Sequence, residues 1–146
     1  TCTGSSAMLY WRRRRICMSR REDLYLADIV TAYYRIASYL ENLAFADFQK
    51  DDLRQDGVIR QLSIIGEAAS SLTPATRDSQ PEIPWKLVRG MRNMLVHQYF
   101  DADLIIVFNA ATKSVPELAE RILAVLAQRD PAEAERILAR KPAWLD

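Results

Sequence analysis

The 146-residue chain is poor in the groups that metal binding and covalent cross-linking need. It has a single histidine, His97, so a cluster of histidine ligands for zinc or iron is impossible within one subunit. Both of its cysteines, Cys2 and Cys17, lie in the first 17 residues. The remainder has no thiol, no disulfide framework supports the fold, and the chain fits a reducing, cytoplasmic setting. Four glycines and six prolines are few for a sheet protein rich in tight turns. No run of about 18 apolar residues exists, which excludes a membrane-spanning helix, and no alternating pattern of useful length marks a strand.

What is present is the balance of an ordinary globular domain, with 49% apolar and 27% charged residues. The net charge of +1 is unevenly spread. Residues 1–17 carry Arg12 to Arg15 and no acid, and without those four arginines 16 basic residues face 19 acidic ones, a charge of −3. The short apolar patch of this segment precedes its arginines, the reverse of a secretory signal. Residues 1–17 read as an extension or expression remnant, expected to be disordered, with an RNA-binding arm as the alternative. Residues 18–146 are then a single helical domain that begins at Met18.

Apolar residues at Leu26, Ile29, Tyr33, Ile36, Leu40 and Leu43 fall in steps of three and four and predict a helix from Glu22 to Leu43. A second stripe predicts a helix from Asp47 to Leu72, although Gly57 and Gly66 inside it are poor helix formers. Beside the small Ala68 and Ala69, Gly66 suggests a close approach by another helix. Three prolines make Thr73 to Pro84 a loop. Pro84 then opens a third helix through Phe100. Asp101 and Asp103 offer caps to a fourth, Leu104 to Lys113, and Pro116 kinks or restarts it on the way to Leu126. Asp130-Pro131, with Glu133 behind them, begin a last short helix to about Arg140. The expected architecture is all-α: an antiparallel bundle of four long helices and one or two short ones.

Reactive groups gather only on the third helix, which holds Arg89, Arg92, Asn93, His97 and Tyr99 within eleven residues. Asn93 and His97 are four apart and share a helix face, and Arg92 and Tyr99, seven apart, also align. Arginine can hold phosphate oxygens through two parallel hydrogen bonds, and histidine moves protons near neutral pH. Together they suit attack of a ribose 2′-hydroxyl on the adjacent phosphate without a metal. Such cleavage wants two proton-transfer groups, and a two-fold dimer would place two copies of His97 and Arg92 in one cleft. The ordinary alternatives are a histidine that neutralises a helix end and aromatics that pack in a core or interface.

The segment Arg92-Asn93-Met-Leu-Val-His97-Gln-Tyr99 resembles the R-x4-H-x-Y motif of HEPN-domain toxins of the HepT type. The likeness extends to Ile59–Ala69 (IRQLSIIGEAA), to Pro81–Trp85 (PEIPW), and to Gly90-Met91 and Tyr99–Leu104 around the motif. It covers roughly Met18 to Leu126. The resemblance implies a HEPN-like helical fold and a homodimer with a composite, metal-independent ribonuclease site that needs no cofactor. In that site Arg92 and His97 are catalytic and Asn93 supports them. It implies RNA, and tRNA in particular, as substrate, with local help from Arg89 and Arg60 of both subunits. The partner it implies is an MNT-type nucleotidyltransferase antitoxin of a type VII-like toxin–antitoxin system, which transfers AMP to the motif tyrosine, here Tyr99. Two readings compete: a non-catalytic subunit that docks a nucleotidyltransferase and presents nucleotide or substrate to it, and a motif that merely glues a dimer.

Overall fold

A computed structural model describes residues 7–93 and 103–145, with side chains from residue 21 onward. His97 and Tyr99, the cap expected at Asp101, and the shared helix face of Asn93 and His97 lie outside the described residues. Among the described residues there are helices and no strand, so the chain is all-α.

The first helix, α1, spans Ala7–Tyr39. Met18, the expected start of the domain, falls inside it, and residues 7–17 continue the same helical backbone upstream. The helix stops four residues earlier than its apolar stripe, and Asn42 then takes a left-handed conformation (φ 54°), which asparagine tolerates better than most residues. The expected second helix is two. The short α2 (Phe45–Phe48) ends, and α3 (Asp52–Ser71) begins at a cap where the Asp51 carboxylate accepts from the Arg54 amide at 3.0 Å. A capping aspartate inside an apolar stripe therefore divides it.

The proline-rich stretch, expected to be a loop, contains α4 (Pro74–Asp78), capped by the Thr73 hydroxyl with Pro74 in its first turn. A further short helix, α5 (Trp85–Gly90), follows Pro84. Helix α6 (Leu104–Asn109) starts where Asp103 accepts from the Ile105 amide at 3.1 Å. A π-helical turn, Ala110–Ser114, joins it to α7 (Val115–Arg129). Pro116 has no N–H to give the carbonyl four residues back, so the widened turn sits where the sequence expects a kink or restart. The last helix, α8 (Pro131–Leu138), opens as expected on Asp130, which accepts from the Glu133 amide at 3.1 Å.

Helices α1 and α3 run antiparallel. Tyr39 at the end of α1 lies against Gly57 early in α3, while Glu22 reaches Thr73, just past the end of α3, at 2.7 Å. The core between them and α7 holds Ile29, Ile36, Val58, Leu62, Ile65, Ile122 and Leu126, all without exposed surface. At one end a buried acidic pair ties three elements together. Glu22 accepts from the Thr73 amide and from the Thr76 hydroxyl at 2.8 Å, and Asp23 accepts from Arg129 Nε at 2.6 Å. Burial alone would raise the Glu22 carboxyl; its bonds to Thr73 and Thr76 and the Arg129 charge outweigh that and hold it below its ordinary 4.5.

Candidate active site

Within the described residues, the third helix is α-helical from Trp85 through Gly90 and tightens into a 3₁₀ turn at Met91–Asn93, which carries Arg92 and Asn93; its expected continuation to Phe100 lies outside them. Gly66 marks the reason for the tightening. This residue is buried in α3, and a Cβ built on it would overlap the Arg92 amide nitrogen and stand 2.9 Å from the Met91 carbonyl carbon. Glycine inside a helix costs about 1 kcal/mol relative to alanine. Here it permits the motif backbone to lie directly on α3, the close approach its small neighbours suggest. Met91 points inward, 7% exposed, while Arg92 and Asn93 face outward.

The approach to this turn is held from three sides. Arg77 of α4 donates to the Ala69 carbonyl at 3.3 Å and to the Leu72 carbonyl, satisfying acceptors that the end of α3 leaves open. The Trp85 indole N–H is shared between the carbonyls of Arg77 (2.9 Å) and Gln80 (3.0 Å), so α5 begins at a fixed place. Arg121 on α7 donates to the Glu82 carbonyl at 3.3 Å and pairs with Glu117 at 3.2 Å and with the Glu82 carboxylate at 3.6 Å. Under this clamp a groove of about 380 Å³ runs between α5 and α7, lined by Ile83, Leu87, Met91, Ser114 and Leu118. Phe108 of α6 packs against α2, its ring centroid 5.4 Å from those of both Phe45 and Phe48.

Of the expected site residues, Arg89, Arg92 and Asn93 lie together on the segment from α5 into the 3₁₀ turn. Arg60 is on α3, six residues from Gly66, about 9 Å along the helix axis. All four are exposed, and among the described residues Arg60, Arg89 and Arg92 have no ion-pair partner. Arg54, Arg77, Arg121 and Arg129, in contrast, are each committed to a carboxylate or a carbonyl. Glu67 is exposed and partners none of these arginines. The arrangement offers guanidinium groups available for an anionic ligand on a surface whose backbone is rigidly seated.

Sequence reasoning missed the reach of Arg121 to Glu82, 39 residues away, because only its helical pairing with Glu117 has a local signature. It also missed Gln61, buried in α3 with its side-chain oxygen unpartnered among the described residues. Among the described residues no group of three or more His, Cys, Asp or Glu side chains could hold a metal ion, and no helix is long and apolar enough to cross a membrane. A groove of about 550 Å³ between α1, α7 and α8, lined by Tyr33, Glu120, Leu123 and Leu138, shares no residue with the motif segment.

An all-helical domain that seats a short Arg-Asn turn on a helix glycine and, among the described residues, leaves its guanidinium groups without ion-pair partners is the class that fold and site define here. Residues 29–125 match the family described as Ribonuclease HepT-like. The chain belongs to that family. It is similar to a Thermococcus cleftensis protein named Probable ribonuclease HepT, 36% identical over 101 residues, 69% of this chain and 92% of that one. A Caldanaerobacter subterraneus subsp. tengcongensis protein with an RNase name is 32% identical over 102 residues, covering 70% of this chain and 91% of its own length. One of Methanocaldococcus jannaschii, again carrying an RNase name, is 30% identical over 106 residues, 72% of this chain and 97% of that one. No solved structure matches the chain.

Proposed function

We propose that this ribonuclease-family chain is a metal-independent endoribonuclease toxin whose Arg92 and His97 act at a homodimer interface on tRNA. The observation that carries the reading is the outward-facing Arg92–Asn93 turn, fixed on Gly66 and free of ion-pair partners among the described residues. In the reaction the ribose 2′-oxygen attacks the adjacent phosphorus, and one copy of His97 takes the hydroxyl proton. The bond to the 5′-oxygen breaks, and that oxygen leaves with a proton from the second copy of His97, which leaves a 2′,3′-cyclic phosphate. Arg92 holds the charged phosphorane oxygens between these events, and Asn93 orients the pair. Arg89 and Arg60 give the flanking phosphates a local basic surface on a chain of small net charge.

Two features support the dimer. Each chain supplies one histidine where the chemistry uses two proton-transfer groups, and exposed Leu87 and Ile106, at 72% and 59%, flank the motif in sequence with apolar surface for a second copy. Restraint comes from an MNT-type nucleotidyltransferase antitoxin that transfers AMP from ATP to the Tyr99 hydroxyl, releasing pyrophosphate and placing a bulky anion two residues from His97 where it repels RNA phosphates. The test is expression of the parent chain and of His97→Ala in the same host. The parent arrests growth and leaves tRNA fragments ending in cyclic phosphate; His97→Ala does neither. Co-expression with the nucleotidyltransferase restores growth and adds AMP masses that map to Tyr99. Equal fragmentation by parent and variant contradicts the assignment of His97.

A further inference from the structure

We infer that Gly66 is a positioning residue for Arg92, its missing side chain setting where the Arg92 backbone, and with it the guanidinium, stands. The inference rests on the reading of Arg92 as catalytic. Three glycines in the described residues allow a comparison. The atoms nearest a Cβ at Gly57 belong to the edge of the Tyr39 ring, at 3.3 Å, and a Cβ at Gly90 would meet nothing within 4 Å among the described residues, although Gly90 lies two residues from Arg92. The three atoms nearest a Cβ at Gly66 are all backbone: the Arg92 nitrogen, the Met91 carbonyl carbon at 2.9 Å and Arg92 Cα at 3.0 Å. Backbone atoms cannot rotate out of the way as a side chain can.

The side that must yield is set by packing. Around Gly66, α3 presents Leu62, Ile65 and Ala69, none of them with exposed surface, to the core it shares with α1 and α7, so α3 is fixed. The Met91–Asn93 turn has only Met91 buried and two outward residues. An added methyl group therefore displaces the turn, by about 1 Å if ordinary contact is to be restored. A displacement of that size at a reacting group costs on the order of 100-fold in rate.

The experiment compares cleavage of a tRNA pool by the full chain and by Gly66→Ala, Gly90→Ala, Arg92→Ala and Gly66→Ala/Arg92→Ala, with helix content and sedimentation measured for each. Gly66→Ala is expected to fold and associate like the parent, to lose about 100-fold in kcat, and to keep KM within a few-fold. Gly90→Ala stays within twofold of the parent, roughly the scatter of a neutral surface change. In the Arg92→Ala background the Gly66 substitution has no further effect, because its action passes through Arg92. Full activity of Gly66→Ala overturns the inference. So does an undiminished loss in the Arg92→Ala background, or a Gly66→Ala chain that does not fold, since the glycine then serves the core alone. Parental activity of Arg92→Ala, in contrast, overturns the catalytic reading itself.

Discussion

Glu22 shows how one side chain can join three elements: its carboxylate accepts from the Thr73 amide and the Thr76 hydroxyl and lies 3.6 Å from Arg129. Because the folded carboxyl titrates below its ordinary 4.5, folding favours the ionised form. The stabilisation is full above pH 4.5 and is lost as the pH falls through the lowered native value. Melting temperatures measured from pH 7 downward are expected to fall more steeply for the parent than for Glu22→Gln, which is less stable at pH 7 and titrates no group there. Parallel curves would contradict this account of Glu22. The residue scale was unevenly legible in the sequence. The caps at Asp103 and Asp130 could be read because a short polar side chain before an apolar run has a local signature. Glu22 could not, since its hydrogen-bond partners lie 51 and 54 residues away in the chain.

At the scale of elements, the apolar stripes of α1, α3 and α7 and the capped start of α8 were readable, and the ends of the stripes were less so. Asp51 splits a stripe that periodicity alone joins, and Thr73 caps a helix inside a stretch whose prolines suggest only a loop. The 3₁₀ turn at Arg92 follows from a contact between α3 and a segment 26 residues later; Gly66 hints at that contact, but sequence does not say what approaches. Two tertiary contacts can be tested separately. Phe108→Ala removes the ring that rests on Phe45 and Phe48 and is expected to cost about 3 kcal/mol in denaturant unfolding; a loss below about 1 kcal/mol would mean α6 is held elsewhere. Arg121→Ala breaks an exposed clamp on Glu82 and is expected to cost no more than about 1 kcal/mol. Its larger effect should be on RNA cleavage, because the entry to the motif turn loses its tether to α7.

For the whole molecule, the family match over residues 29–125 leaves the first part of α1, the last turn of α7 and all of α8 outside it. Those parts carry the Glu22, Asp23 and Arg129 network and the acid-capped α8, so in this chain the bundle is closed by elements beyond the matched segment. The all-α class and the family were legible from the sequence. The seating of the motif turn was not, because it depends on which segment of the fold meets Gly66. Leu87→Asp or Ile106→Asp, each placing a charge on apolar surface beside the motif, is expected to give a monomer in sedimentation that no longer cleaves RNA. A monomer that cleaves at the parental rate would contradict the shared site. The central claim is tested most directly by cleavage of a tRNA pool in EDTA by the parent, Arg92→Ala and His97→Ala, all with matched helix content and association. The account predicts that the parent cuts in EDTA and that each variant loses at least about 100-fold, the span expected when a proton-transfer group or an oxyanion donor is removed. Loss of parental cutting in EDTA, or survival of cutting in either variant, would contradict it.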